Sequence, residues 1–274
     1  MYLNRMTLHA PANYSPRERL TSDRVLFVRS DGDNRNSGLE DSLRGAFKDW
    51  QYASWVASKF DFDGRKVTLQ AGDEEGLTTF THNVTLHPMY GGGTLLIKGA
   101  GSEKTVWTSA AGDTWTLSNT GLVQVNFENG SIRSAQNGIK VNYSSMCNIG
   151  SDVDFGDCDG HAIWVHDNQA ICQILNSRVS ISGKMLAFLF IQYGHCFLEG
   201  SELTAHPGSA FGHGFITMFP RGSAQVIGNS VSGSAEGRRF NISHLSLLNL
   251  NGADEQSQLL GAEPGVKDAA SVVF

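Results

Sequence analysis

Only one segment of the chain has the apolar spacing of an α-helix. Between residues 42 and 60, apolar residues recur at intervals of three and four: Ala46, Phe47, Trp50, Ala53, Val56, Ala57 and Phe60. This spacing places them on one face of a helix. Asp41 or Ser42 precedes the stripe as a suitable N-cap, and a turn at Asp63 and Gly64 follows it. The pattern predicts one amphipathic helix over about 42–60.

Short apolar runs on both sides of this helix predict β-strands. Residues 25–28 form the first run and residues 67–70 the next. From there onward, short apolar runs alternate with turn-forming Gly, Asn, Asp and Ser residues. No second helical pattern separates these runs, which argues against alternating strands and helices. Most of the chain is therefore predicted to be all-β.

A repeat of about 24 residues organises these strands. Three segments that begin with Cys147, Cys172 and Cys196 align without gaps, at spacings of 25 and 24 residues. Each has one strand before it and one after it, so a repeat holds three short strands. Coils of this length stack into parallel ladders with strands ~4.8 Å apart. The chain is predicted to be a right-handed parallel β-helix, or solenoid, with an N-terminal capping α-helix and a buried cysteine stack.

Both ends of the chain depart from this rhythm. Residues 1–23 carry three Arg and two Pro without a sustained period, and we expect an N-terminal arm. The capped β-helix is predicted over 24–250. Residues 251–274 form a C-terminal tail, which either folds over the last coil or joins a partner chain.

Charge and composition narrow the classes of partner. The formal net charge is −6, which argues against nucleic acid or an anionic membrane as the main partner. No run approaches the ~20 apolar residues of a membrane span, so we expect no membrane insertion. The first residues lack the apolar stretch of a secretory signal, which indicates synthesis in a reducing cytoplasm. The four cysteines form no CxxC pair, and we predict neither a metal nor a cofactor.

An acidic cluster supplies the candidate catalytic residues. Asp152 and Asp154 follow the first cysteine segment, and Arg178 and Glu202 each lie six positions after their own cysteine, near the same register. Two carboxylates ~5–5.5 Å or ~6.5–9.5 Å apart support glycoside hydrolysis. Asp154, Glu202 and Asp152 are the candidate catalytic residues. The alternatives are solvated side chains that form weak ion pairs between coils, or a site that binds without turnover.

Candidate ligand-binding residues surround this cluster. Arg178 and Glu199 lie close to it in sequence, while His206 and His213 flank a loop that lengthens its coil. Longer loops on a solenoid often carry binding contacts, although a tolerated insertion has the same pattern. Exposed tryptophans would stack on sugars, and buried ones would belong to the core. The tryptophans in question are Trp55, Trp107, Trp115 and Trp164.

Residues 24–101 resemble the opening of a known family. The matching features are VRSDG at 28–32, Gly38-Leu39, Ala46-Phe47, Trp50 and VTLQ at 67–70. They are similar to the start of the tail-fibre and tailspike proteins of tailed phages and prophages, which contain a right-handed parallel β-helix. The remaining coils match this family in rhythm and not in motif.

This resemblance implies a structural or receptor-binding component of a phage-like tail that adheres to host cell-surface glycan. It also implies location in the virion, contacts with other virion tail proteins, a homotrimer, and an arm at 1–23 that attaches to the virion. Two alternatives stay open. One is a polysaccharide depolymerase, either a hydrolase or a lyase. The other is a purely architectural virion protein.

Overall fold

The chain folds as a parallel β-solenoid of about eight turns, as predicted. A computed structural model describes residues 17–72 and 75–274. Half of the chain is strand and 5% is helix. Most of the predicted N-terminal arm, residues 1–16, lies outside the described residues. Neither helix in the described ranges is long and apolar enough to cross a membrane.

Three parallel sheets form the walls of the solenoid, and strands are numbered in chain order. Wall A contains ten strands: β2 (Arg24–Val28), β4 (Lys66–Ala71), β7 (Gly93–Lys98), β10 (Val123–Glu128), β13 (Met146–Ile149), β16 (Ile171–Leu175), β19 (His195–Glu199), β22 (Ser223–Ile227), β26 (Leu247–Asn249) and β28 (Val272–Val273). Wall B contains seven: β5 (Thr78–Thr81), β8 (Thr105–Thr108), β11 (Gly130–Ser134), β14 (Val153–Cys158), β17 (Arg178–Ile181), β20 (Glu202–Ala205) and β23 (Ser230–Gly233).

Wall C completes each coil. It contains β6 (Val84–Thr85), β9 (Trp115–Ser118), β12 (Ile139–Asn142), β15 (His161–His166), β18 (Lys184–Gln192), β21 (Ala210–Met218), β25 (Phe240–Ile242) and β27 (Val266–Lys267), with β24 (Glu236–Gly237) beside β21. A separate pair joins β1 (Glu18–Arg19) to β3 (Phe60–Asp61). The helices are α1 (Trp50–Ala57) and α2 (Glu255–Gln258).

Alternation along each strand separates the core from the surface. In β10, Val123, Val125 and Phe127 are wholly buried, whereas the residues between them are partly exposed. Full burial of each such side chain contributes roughly 1.5–3 kcal/mol. Many wall strands repeat this alternation, and the inward residues form one continuous core along the solenoid axis.

The predicted cysteine stack is confirmed. Cys147 pairs in register with Cys172, and Cys172 with Cys196. All three are buried free thiols in wall A. Burial raises the pKa of the Cys147 thiol well above its usual value, so this side chain behaves as a small apolar group.

The predicted helix over 42–60 is too long, because α1 covers only Trp50–Ala57. Phe47 forms backbone hydrogen bonds with β2: its N–H donates to the Phe27 carbonyl, and its carbonyl accepts from Arg29, both at 2.9 Å. Such strand-like pairing is incompatible with a helix through this residue. The Asp49 side chain then caps α1 by accepting from the Tyr52 N–H.

Helix α1 covers the first coils of the core. Trp50 is wholly buried, and its ring lies edge-on against Phe80, Trp107 and Trp115 at centroid distances of 5.5, 5.4 and 5.8 Å. Aromatic pairs in this geometry add to the stabilisation that burial provides. The helix therefore closes an end of the solenoid that would otherwise expose apolar residues.

The tail at 251–274 folds over the last coil within this chain. β27 pairs with β25, and β28 pairs with β26, so the tail extends walls C and A. The Asn229 N–H donates to Gln258 of α2 at 2.9 Å. These contacts cover residues of the last complete coil.

Replacing Trp50 with Ala should lower the free energy of unfolding by about 3–5 kcal/mol, because it removes the aromatic centre of the cap. Urea denaturation followed by circular dichroism measures this change. Trp55→Ala is the matched control, since Trp55 lies on the same helix but is 41% exposed. The control should change stability by less than about 1 kcal/mol. Equal effects of the two variants would contradict the capping role of Trp50.

Candidate functional site

The outer face of wall B brings together three of the predicted site residues. Asp152, Arg178 and Glu202 line a shallow groove of about 190 Å³, groove B1, together with Ser180 and Thr204. Arg178 and Glu202 are register partners on β17 and β20. The Asp152 N–H donates to the Arg178 carbonyl at 3.0 Å, which places Asp152 on the preceding coil. Parallel stacking thus aligns residues that lie about 25 positions apart in sequence.

Asp154 lies in an adjoining groove of the same wall. This groove, B2, has a volume of about 320 Å³, shares Ser180 with groove B1 and includes Arg133 and His206. The Asp154 carboxylate accepts hydrogen bonds from Ser131 at 3.0 Å, Ser180 at 3.0 Å and Ser182 at 2.7 Å. The hydroxyls come from the coils on either side, so Asp154 links three successive coils.

This arrangement leaves Asp154 little capacity for catalysis. Both carboxylate oxygens already accept hydrogen bonds, whereas a general base or nucleophile needs a free lone pair directed at substrate. Hydrogen bonds to a charged group contribute about 1.5–3 kcal/mol each. The geometry thus indicates a structural role for Asp154.

Asp152 and Glu202 are not oriented toward each other by the contacts of groove B1. Asp152 accepts hydrogen bonds from the Ser102 N–H at 3.2 Å and hydroxyl at 2.9 Å, which directs its carboxylate toward earlier coils. Glu202 lies on the opposite side of Arg178, about two strand spacings or ~9.6 Å along the solenoid. Neither Arg178 nor Glu202 has a side-chain partner among the described residues. Both are exposed and solvated.

The remaining predicted binding residues lie on other surfaces or at the margin of wall B. Glu199 ends β19 on wall A and accepts a hydrogen bond from Gln225 at 2.8 Å. His213 lies on β21 of wall C, where its ring centroid is 6.3 Å from that of His161. Of the four residues, only Arg178 and His206 line the grooves of wall B.

A second surface, on the outer face of wall C, combines aromatic and polar side chains. This groove, groove C, has a volume of about 330 Å³. It is lined by Ala135, Gln136, Asn137, Asp159, Gly160, His161, Trp164, Leu186 and Phe190. Trp164 and Phe190 are register partners with ring centroids 6.0 Å apart, and His161 stacks on Phe190 at 4.3 Å. The Lys140 ammonium lies 4.3 Å from the Trp164 ring centroid.

Groove C combines uncharged aromatic rings with the Asp159 carboxylate and the nearby Lys140 ammonium. Burial lowers the pKa of His161 to about 4, with a further contribution from His213, so this imidazole is uncharged at neutral pH. His161 Nδ1 and Trp164 Nε1 are excluded from solvent and have no hydrogen-bond partner within the described residues. An unsatisfied buried polar atom costs about 1–3 kcal/mol. The Nε1 atoms of the core residues Trp50, Trp107 and Trp115 are in the same state, so this property is not specific to groove C.

Sequence reasoning identified only part of groove C. It named Trp164 as a sugar-stacking residue if exposed, and Trp164 is half-buried on the outer face. Trp107 and Trp115 belong to the core, whereas Trp55 is exposed on α1. Sequence reasoning missed the groove residues Gln136, Asn137, Leu186 and Phe190. The position of Phe190, one coil after Trp164 in the same strand pattern, is the signal that points to it.

Comparisons with known proteins do not assign a family or a function. No family model matches the chain, and neither a curated protein nor a solved structure matches it significantly. In residues 17–72 and 75–274, no group of three His, Cys, Asp or Glu side chains is arranged to hold a metal ion. Function is therefore inferred from the chain's own residues.

Replacing Asp154 with Asn should reduce the free energy of unfolding by about 1–3 kcal/mol, because the amide group cannot accept all three serine hydrogen bonds. Asp159→Asn is the control, since Asp159 is exposed and has no side-chain hydrogen bond within the described chain. Its effect should stay within about 0.5 kcal/mol. Chemical denaturation of both variants tests the structural role, and indistinguishable stabilities would refute it.

Proposed function

We propose that this protein is a glycan-binding β-solenoid that adheres to cell-surface polysaccharide without cutting it, as the receptor-binding part of a phage-like tail. The aromatic cluster of His161, Trp164 and Phe190 on the outer face of wall C is the observation that carries the binding proposal. The tail setting, virion partners and homotrimer are supported by the resemblance of residues 24–101 to tail-fibre and tailspike proteins.

Groove C suits a sugar chain because it offers two kinds of contact. The aromatic rings present flat apolar surfaces to the C–H faces of a sugar ring. Gln136 and Asp159 add exposed amide and carboxylate groups at the same groove, and these can bind hydroxyls. Binding sites commonly combine an apolar surface with a few polar groups in this way.

The aromatic residues of groove C are not required to fill the core. The interior already contains large buried rings, including Trp107, Trp115 and Phe127. Trp164 and Phe190 lie on the outer face, since Ile163 and Leu189 occupy the inward positions of β15 and β18. Outward aromatic residues at matching register form a ready-made surface for a ligand.

Rigidity supports binding at this surface. Trp164 and Phe190 lie within regular, paired strands and not on loops. A ligand therefore meets side chains whose backbone is already ordered, which reduces the entropy that binding must overcome. A fixed surface of this kind suits adhesion to a repetitive polymer.

The carboxylates of wall B favour adhesion over depolymerisation. Asp154 is engaged by three serines, and Asp152 is engaged by Ser102. Glu202 is exposed and has no side-chain partner among the described residues, so nothing in groove B1 orients it for catalysis. Depolymerisation and a purely architectural role are the competing outcomes of the experiment below.

Purified protein should retain at least one polysaccharide from a panel of bacterial capsules and O-antigens, and leave its chain length unchanged. Trp164→Ala should weaken this retention at least about tenfold, as expected for the loss of an aromatic anchor worth about 1.4 kcal/mol. Affinity chromatography and size-exclusion analysis of the polymer measure the two properties.

Trp55→Ala serves as the control for this experiment, because it removes an exposed tryptophan on α1, away from wall C. Its retention should match that of the unmodified protein. Shortening of the polymer would support the depolymerase instead. Failure to retain any polysaccharide, or equal retention by Trp164→Ala, would overturn the proposed site.

A further inference from the structure

A separate groove lies at the corner where wall C strands end and wall A strands begin. This corner groove has a volume of about 640 Å³, compared with about 330 Å³ for groove C. Tyr193, Arg221, His244, Leu245 and Asp268 line it, together with Pro220 and Ala270. The lining residues come from successive coils, so the groove runs along the solenoid axis.

Four of these residues adopt left-handed backbone conformations. The φ angles are +62° for Tyr193, +53° for Arg221, +57° for His244 and +64° for Leu245. Gly and Asn adopt this region most readily, and Asn119 does so at the same corner of an earlier coil. Tight corners of the solenoid require such a conformation, but they do not require large side chains.

Packing does not explain the large side chains at this corner. Leu245 is 62% exposed and Tyr193 is 38% exposed. The neighbouring Phe219 is also exposed, and its ring lies edge-on to His244 at 4.4 Å. The corner thus presents apolar and aromatic surface to solvent at positions where smaller residues fit the backbone better.

Two polar groups of opposite charge complete the groove. The Arg221 guanidinium has no partner within the described residues. Asp268 Oδ2 accepts the His244 N–H at 2.8 Å, and Ser271 and Ala270 also donate hydrogen bonds to this carboxylate. The His244 N–H lowers the pKa of Asp268, which keeps the carboxylate ionised at neutral pH.

This pair of charges disfavours a ligand that carries a single net charge. An anionic ligand that approaches Arg221 meets the ionised Asp268, and a cationic ligand at Asp268 meets Arg221. The hydroxyls of a neutral sugar ring can accept a hydrogen bond from the Arg221 guanidinium and donate one to Asp268 Oδ2. Neither contact requires a charge on the ligand. Its apolar face can then pack against Tyr193 or Leu245.

We propose that the corner groove is a second glycan-binding site, which takes a neutral hexose-type sugar. It extends the proposed adhesive function, but it does not depend on groove C. Strand β18 runs from one groove to the other: Phe190 and Tyr193 are three residues, or roughly 10 Å, apart along the chain. One polysaccharide chain can therefore span both sites.

The test uses three classes of short oligosaccharide. Maltose, isomaltose and N-acetylglucosamine oligomers are the neutral probes. Galacturonate oligomers are the anionic probes and glucosamine oligomers the cationic ones. Binding is measured by calorimetry with the full chain. At least one neutral oligomer should bind, and Arg221→Asn should weaken it at least about tenfold, the effect of losing a charge-assisted hydrogen bond. Arg44→Gln is the control, because it removes another exposed guanidinium that has no side-chain partner among the described residues and lines none of the grooves.

Arg221→Asn is suited to this test because Asn tolerates the left-handed corner, so its Tm should not fall. Loss of neutral binding in Trp164→Ala alone would refute the corner site and leave the proposed function standing. Loss in Arg221→Asn alone would support the corner site even if groove C fails. Anionic oligomers that bind through Arg221, or no neutral oligomer sensitive to Arg221→Asn, would overturn the inference.

Discussion

Parallel stacking of coils in fixed register is the constraint on which the rest of the structure depends. Each residue on an outer face has neighbours about 24 positions before and after it, and not the residues next to it in sequence. In wall A, this register pairs Cys147 with Cys172, and Cys172 with Cys196. The same register aligns Lys140, Trp164 and Phe190 in wall C. A side chain therefore acquires its surroundings from the period of the repeat.

The register also determines how the two outer walls differ. On wall B, small hydroxyl side chains stack on carboxylates, and Asp154 accepts hydrogen bonds from both neighbouring coils. Thr204 and Ser232 continue this ladder with a hydroxyl pair at 2.9 Å. Many polar groups of this wall are thus satisfied within the chain. They stabilise the stacking of coils and leave few groups available for chemistry on a ligand.

The sequence predicted the repeat correctly where one residue type marks it. The prediction of the helix bounds was wrong, because local apolar spacing did not reflect the tertiary contacts. The cysteine spacing is readable because strand and turn lengths stay constant from Cys147 to Cys196. Ala46 and Phe47 fit a helical period, yet Phe47 pairs with β2, since a tertiary contact overrides the local pattern. Phe190 was missed because β18 is almost continuously apolar and contains a bulge near Met185, which hides its alternation. Glu199 and Glu202 are three residues apart, but the corner at Gly200 and Ser201 puts them on different walls.

Folding alone does not dictate which residues occupy the outer face, and this freedom makes its composition informative about function. A solenoid needs inward apolar residues and tight corners, and both needs are met by small or aliphatic side chains. Trp164 and Phe190 on wall C add nothing to the interior core. Tyr193, Arg221 and Leu245 occupy corner positions where their side chains carry a conformational cost. Large side chains that the core does not need and the corner backbone does not favour are best explained by contact with a ligand, which places the proposed recognition on this side of the solenoid.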